Sequence, residues 1–427
     1  MKIIRYPDKK EWPSLLARPA MDTTILDTIV IKVLEQVKKG GDKAIIELTE
    51  KFDKVRLSNF MVSDNEKTLA EASVNKKLKQ AIQLAATNIR KFHEAQKPST
   101  IEVETMPGVL CKQKPVPIER VGLYIPGGTA PLFSTVLMLA IPAQVAGCSE
   151  IVLCSPPGRE GKLNPAILYA AVISGVTSIF KIGGIQAIAA MAYGTESVRK
   201  VNKIFGPGNQ YVTAAKQLVA RQEVAIDMPA GPSEVAVLAD DSSNPVFVAS
   251  DLLSQAEHGA DSQVILITNS GELISKVQKE IEAQLIDLPR KDFASESLKH
   301  SRAYLVRNYY EMMELVNYYA PEHLIISTSN ADELASQVKN AGSVFIGEFT
   351  PESAGDYASG TNHTLPTNGY ARSYSGVNLE AYYKKITFQK ITREGLQKIG
   401  PSVEIMALAE ELTAHQRTIA LRLRNQY

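Results

Sequence analysis

At 427 residues the chain exceeds the size at which a single hydrophobic core stops growing, so two or three domains are expected. Hydrophobic residues make up 44% and charged residues 22%, as in folded globular proteins, and 47 Lys plus Arg against 46 Asp plus Glu leave no basic surplus to grip a phosphate backbone, which excludes a nucleic-acid binder of the usual kind. Residues 1–12 lack the apolar run of a signal peptide, the most apolar stretch (Val136 to Cys148) is too short for a bilayer, and an odd count of three cysteines suits a reducing compartment, so a cytoplasmic location is expected.

In chain order, the first hundred residues read as helices. Apolar residues recur at helical spacing from Thr23 to Lys39 and again from Asn75 to Glu94. Between Ile101 and Tyr124 short alternating segments broken by Pro and Gly read as strands and turns. From about Val121 the rhythm becomes βα. Short runs at Ile151 to Cys154, Ser178 to Ile182 and Lys203 to Phe205 are separated by helical stretches near Ser134 to Ala146, Asn164 to Ser174, Ile185 to Tyr193 and Asn209 to Ala220. A second series follows, with strands near Glu234 to Leu238, Gln263 to Thr268, Arg302 to Val306, His323 to Ser327 and Ser343 to Ile346. The pattern therefore predicts an α/β fold with two similar sheets. The polar stretch Gly347 to Gly376 is long for a plain connection and reads as a functional loop, and Glu394 to Leu423 is helical.

Three glycine loops stand in the first βα series: Gly122-Leu-Tyr-Ile-Pro-Gly-Gly128, Gly183-Gly-Ile-Gln186 and Gly206-Pro-Gly-Asn209. Such loops let backbone N–H groups approach a phosphate. None completes Gly-x-Gly-x-x-Gly, because Tyr211 stands where the third glycine belongs after Gly208, and the same glycines would serve equally to close tight turns.

Only six histidines occur, so their company is informative. Gln255 and His258 lie three residues apart in a predicted helix, on one face, where they could hold a metal completed by Asp356 and His415; they could as well form a solvated helix edge. Glu322-His323 immediately precedes an apolar strand, at a strand mouth where substrates commonly bind. An acid beside an imidazole suits proton transfer near neutral pH, although a plain turn is the alternative. His363 is equally open.

Six segments, 122–144, 204–217, 226–236, 253–263, 320–325 and 354–368, together resemble the histidinol dehydrogenase family over nearly the whole chain, with no departure at any position named here. The resemblance implies two incomplete Rossmann-like domains in a homodimer: 1–22 as an N-terminal helical segment, 23–120 with 233–377 as the substrate and zinc domain, 121–232 as the NAD domain, and 378–427 as an extension reaching the partner subunit. It further implies Zn2+ on Gln255, His258, Asp356 and His415, His323 as general base and Glu322 as activator of water. Ser233, His363 and Glu410 would contact L-histidinol, and Tyr124, Gln186 and Asn209 would contact NAD. Rival readings are a metal-assisted hydrolase using Glu322 or Glu257, an aldehyde dehydrogenase using Cys148 or Cys154 as nucleophile, and a zinc-stabilised binding protein.

Overall fold

The structure is a computed structural model that describes residues 1–19, 23–127, 130–229 and 231–424. Gly128 of the first glycine loop, Ala230 of the motif 226–236, and residues 20–22 at the end of the expected N-terminal segment lie outside the described residues. Strands run in the order β1 (Lys2–Arg5), β2 (Ile101–Met106), β3 (Val109–Pro117), β4 (Arg120–Tyr124), β5 (Glu150–Ser155), β6 (Ser178–Lys181), β7 (Lys203–Phe205), β8 (Ala225–Ile226), β9 (Glu234–Ala239), β10 (Gln263–Thr268), β11 (Arg302–Leu305), β12 (His323–Ser327), β13 (Ser343–Ile346) and β14 (Tyr383–Ile391). They fall into two units, residues 1–96 with 119–381, and residues 97–118 with the chain from 382 onward.

The first unit holds two all-parallel sheets. One runs β6-β5-β4-β7-β8 and the other β1-β11-β10-β9-β12-β13. Setting β1 aside, both place their strands in the order third, second, first, fourth, fifth, the Rossmann order without its sixth strand. Both faces of the larger sheet are covered, and the strands divide their side chains by alternation. Val235, Val237 and Ala239 enter the core under the helices Pro245–Ala256 and Gly271–Leu285, while Ala236 and Leu238 enter the core under Tyr309–Tyr319 on the other side. Asn164, Asn209, Asn244 and Asn308 each start a crossover helix by accepting backbone N–H bonds from its first turn.

Residues 1–19 are not the helical segment expected. Lys2–Arg5 pairs in parallel with β11 as an edge strand, and only the short helix Trp12–Leu15 follows. The β-branched pair Ile3 and Ile4 explains the strand, because Ile3 packs toward one face of the sheet and Ile4 toward the other. The helices of residues 23–96 were grouped with 233–377, but Val30, Val37, Ile45 and Leu48 share a core with Ile188, Met191 and Val212 over the five-stranded sheet. Their apolar stripe identified them as helices without specifying the sheet that would receive it.

In the second unit β2, β3 and β14 form an antiparallel sheet ordered β14-β3-β2, accompanied by the helices Arg393–Ala409 and Thr413–Arg424. Residues 101–117 were expected in the first domain. Their pairing with β14, from Tyr383 opposite Pro117 to Ile391 opposite Val109, spans far more chain than any local pattern reveals. The single helix expected from Glu394 to Leu423 breaks at Glu411, whose φ of 60° is left-handed. Among the described residues no helix is long and apolar enough to cross a membrane.

Candidate active site

At the amino ends of β9 and β12, pairing sets His323 opposite Val235, which brings Glu322 and His323 beside Ser233 and Glu234. The helix Pro245–Ala256 ends at the same edge and delivers Gln255 in its last turn. His258 was expected inside this helix but lies just past its end, its N–H still bonded to the Gln255 carbonyl at 3.3 Å. The short helix Glu352–Tyr357 within the long polar loop brings Asp356. These groups gather at the amino edge of their sheet, whereas open α/β sheets usually bind ligands at the carboxyl edge.

His323 is the centre of the cluster and is 3% exposed. Its Nδ1 faces the Glu234 carbonyl at 3.2 Å, so Nδ1 carries the proton and donates it there. Among the described residues Nε2 has no hydrogen-bond partner, and it stands 3.6 Å from Asp356 Oδ1. Burial alone would lower the imidazole pKa, but Glu352, Glu322 and Asp356 together raise it well above the usual value. For Asp356, burial works upward and His323 more than reverses it, holding the carboxyl below its ordinary range. Glu322 Oε2 accepts the Glu234 N–H at 2.9 Å. In the orientation that satisfies both ends of its amide, Gln255 donates to Glu352 Oε1 at 2.6 Å and accepts from Glu234 N–H at 3.1 Å. Burial pushes the Glu352 carboxyl up to about 8. Glu234 itself is held by a bidentate bond from Arg18, at 2.5 and 2.8 Å, with the guanidinium stacked 4.0 Å from the Tyr319 ring centre.

His258, Glu352 and Asp356 each offer a ligand atom within 4.8 Å of one another. Imidazole, carboxylate and a neighbouring carboxamide make a mixed nitrogen and oxygen donor set suited to zinc. His363 donates from Nδ1 to the Asp356 carbonyl at 2.9 Å and accepts at Nε2 from the Thr135 hydroxyl at 3.1 Å, which fixes its tautomer, and burial lowers its pKa.

At the carboxyl edge of the five-stranded sheet the three glycine loops converge. A Cβ on Gly183 would collide with the Pro156 ring and one on Gly206, at φ 126°, with the Tyr124 carbonyl, so chain passes there at a separation only glycine permits. This cradle and the Rossmann strand order fit a dinucleotide. Tyr124 and Gln186 are themselves buried: the Tyr124 hydroxyl accepts the Gly184 N–H at 3.0 Å and Gln186 reaches Asp53 at 3.4 Å. Asn209 spends its carboxamide oxygen on the N–H groups of Tyr211 and Val212.

A single cavity of about 1070 Å³ is lined by Gly206 to Asn209 and also by Ser233, Gln255, His258, Glu322, His323, Asp356 and His363. Tyr124 and Gln186 are not among its lining residues, and Glu410 and His415 belong to the second unit, where both are exposed. The sequence model of the histidinol dehydrogenase family matches residues 16–423. A histidinol dehydrogenase of Bacteroides thetaiotaomicron is 60% identical over 423 residues, 99% of each chain, and one of Mannheimia succiniciproducens is 51% identical over 97% of each. The crystal structure of histidinol dehydrogenase from Elizabethkingia anophelis superposes with a TM-score of 0.97 at 55% identity, over 99% of this chain and 98% of that one. The chain belongs to the histidinol dehydrogenase family.

As a histidinol dehydrogenase it is an NAD-dependent oxidoreductase of histidine biosynthesis, acting on histidinol. That outcome displaces the hydrolase, aldehyde dehydrogenase and binding-protein readings. The thiols agree with it, since burial pushes Cys148 up to about 12 and Cys154 higher still, too high for a nucleophile. Sequence reasoning missed Glu352, Glu234, Arg18 and Thr135. Only Glu352 left a trace, four residues before Asp356, the spacing that sets two side chains on one helix face.

Proposed function

We propose that the cluster around His323 carries both oxidations of L-histidinol, first to histidinal and then to L-histidine. NAD supplies the hydride acceptor in each step. Gln255, His258 and Asp356 of this chain and His415 of a second copy would hold a zinc ion, which would supply the positive charge that the carboxylates call for and an anchor for the substrate's nitrogens.

The observation that supports this reading most directly is the bare His323 Nε2. With Nδ1 committed to the Glu234 carbonyl, Nε2 is the nitrogen that would take a proton from the substrate hydroxyl as hydride departs, once a cation among the carboxylates offsets the charge that otherwise keeps the ring protonated. An aldehyde has no second hydride to give until water adds. Glu322, held by the Glu234 N–H at 2.9 Å beside His323, is placed to take the proton of that water while protonated His323 gives its proton to the carbonyl oxygen, and His323, neutral again, then deprotonates the resulting diol. Ser233, His363 and Glu410 orient the substrate, Glu410 through its ammonium or imidazole N–H. Tyr124 and Gln186 shape the floor of the NAD cradle and Asn209 its rim.

The family resemblance supports reading Glu410 and His415 as completing the site of a partner subunit, so the active form in this proposal is a homodimer with shared sites. The direct test measures NADH formed from histidinol and, separately, from added histidinal. Two NADH per histidinol are expected. His323→Ala should cripple both half-reactions and Glu322→Gln mainly the histidinal step. Equal losses in both half-reactions for Glu322→Gln would remove its separate role.

A further inference from the structure

Glu352 is the most deeply buried carboxylate of the site, at 1% exposure. It opens the helix Glu352–Tyr357, which places it one turn from Asp356 on the same face. Its Oε1 receives the Gln255 amide at 2.6 Å, while Oε2 has no hydrogen-bond partner among the described residues. The ionisable groups that face it are His323, His258, Asp356, Glu322 and Asp251, two imidazoles against three further carboxylates. Burying so much negative charge without a cation is costly, and a buried acceptor aimed at no donor marks a place where something positive belongs.

The geometry points to Glu352 as a positioning residue of the zinc site: it holds the Gln255 carboxamide in place and adds its charge to the attraction on a divalent cation bound by His258 and Asp356. This inference rests on the zinc reading given above. His258, Asp356 and Glu352 already converge within 4.8 Å without rearrangement. A group that only anchored the loop carrying Asp356 would need neither the unpaired oxygen nor the contact with Gln255, which belongs to a different helix.

The two roles separate on metal affinity and on the stability of metal-free protein. Zinc affinity would be measured on the full-length enzyme by competition with a chromogenic chelator, and Tm on chelator-stripped enzyme, for wild type, Glu352→Gln and Glu352→Asp. Glu352→Gln should weaken zinc by roughly 10- to 100-fold, the range found when outer partners of metal ligands are removed. Its metal-free form should melt no lower than metal-free wild type, because the amide keeps the length and shape of the side chain and needs no cation to balance it. Glu352→Asp keeps the charge on a shorter arm and should fall between.

Zinc affinity of Glu352→Gln within about twofold of wild type overturns the inference, and so does a metal-free form that melts far below wild type while zinc affinity holds. If Glu352→Gln does not fold, Glu352→Asp decides, since it withdraws from Gln255 yet retains the charge, and unchanged affinity there overturns the positioning role. Wild-type protein that retains no zinc sinks the underlying zinc reading instead, a different outcome from any of these.

Discussion

Replacing Lys216 by Met should cost both stability and the grip on NAD. Lys216 and Asp227 form a buried ion pair, Nζ to Oδ1 2.5 Å, with side chains 5% and 1% exposed. Between them they clamp Gly206 at the mouth of the cradle: Lys216 Nζ donates to the Gly206 carbonyl at 2.6 Å, and Asp227 Oδ2 accepts the Gly206 N–H at 2.8 Å. Met fills the same volume but strands the Asp227 charge, and breaking a buried pair from one side costs about 3–5 kcal/mol. The backbone N–H groups of Gly206 and Met228 still reach Asp227, which argues for the lower half of that range. Urea unfolding gives the stability loss and the KM for NAD reports the released loop. A double cycle with Asp227→Asn should show coupling of roughly 1–3 kcal/mol, since both residues act on one peptide unit. A loss below about 1 kcal/mol for Lys216→Met, or a full loss with KM for NAD unchanged, would refute the clamp.

Mixing inactive His323→Ala and inactive His415→Ala chains after dissociation should restore about a quarter of wild-type activity, because half the dimers are mixed and each mixed dimer holds one intact site of two; no recovery would count against shared sites. Gly206→Ala should raise KM for NAD well beyond any loss of stability, as its Cβ meets the Tyr124 carbonyl and its φ of 126° is strained for alanine. Asp240 accepts bonds from Ser242, Ser329 and Tyr309 that overcome its burial and hold its pKa at about 2. A carboxyl depressed in the folded state stabilises above its unfolded pKa, near 4, and loses that contribution as pH falls toward 2. Asp240→Asn should therefore cost about 1–3 kcal/mol at pH 7 and flatten the acid limb of the stability profile, seen by urea titration at several pH values. Cys148→Ala with Cys154→Ala should leave turnover per folded enzyme intact.

Much of this was legible because the signals are local. The unbroken apolar run Val235 to Ala239 and the asparagines that open the crossover helices mark their elements within a few residues. The site was legible in part for a different reason: Gln255, His258, Glu322 and His323 sit at ends of elements whose limits sequence does show. Pairings across long stretches of chain were not. Nothing near Ile101 announces β14, and nothing near Met1 announces β11, since register between distant strands is settled by packing. Glu352 and Arg18 were invisible because their importance comes from partners, Gln255 and Glu234, that only the fold brings to them.

The repeated strand order has a mechanistic consequence. In the five-stranded sheet the crevice at the carboxyl ends of β4 and β7 stays open and glycine-lined. The equivalent crevice of the six-stranded sheet, beyond β9 and β12, is filled by the chain itself, with Asp240 receiving the hydroxyls of Ser242, Ser329 and Tyr309 where a ligand's anion would otherwise sit. Closing that end leaves this sheet free to use the other one. At its amino edge helices arrive by their C-termini, whose carbonyls favour positive charge, and that is where Gln255, His258 and the buried carboxylates collect. One sheet thus offers helix N-termini and glycine loops to an anionic dinucleotide, and its counterpart offers helix C-termini and carboxylates to a cation and an ammonium substrate. Because both edges line one cavity, the proposed cation site and the dinucleotide cradle would face the same space.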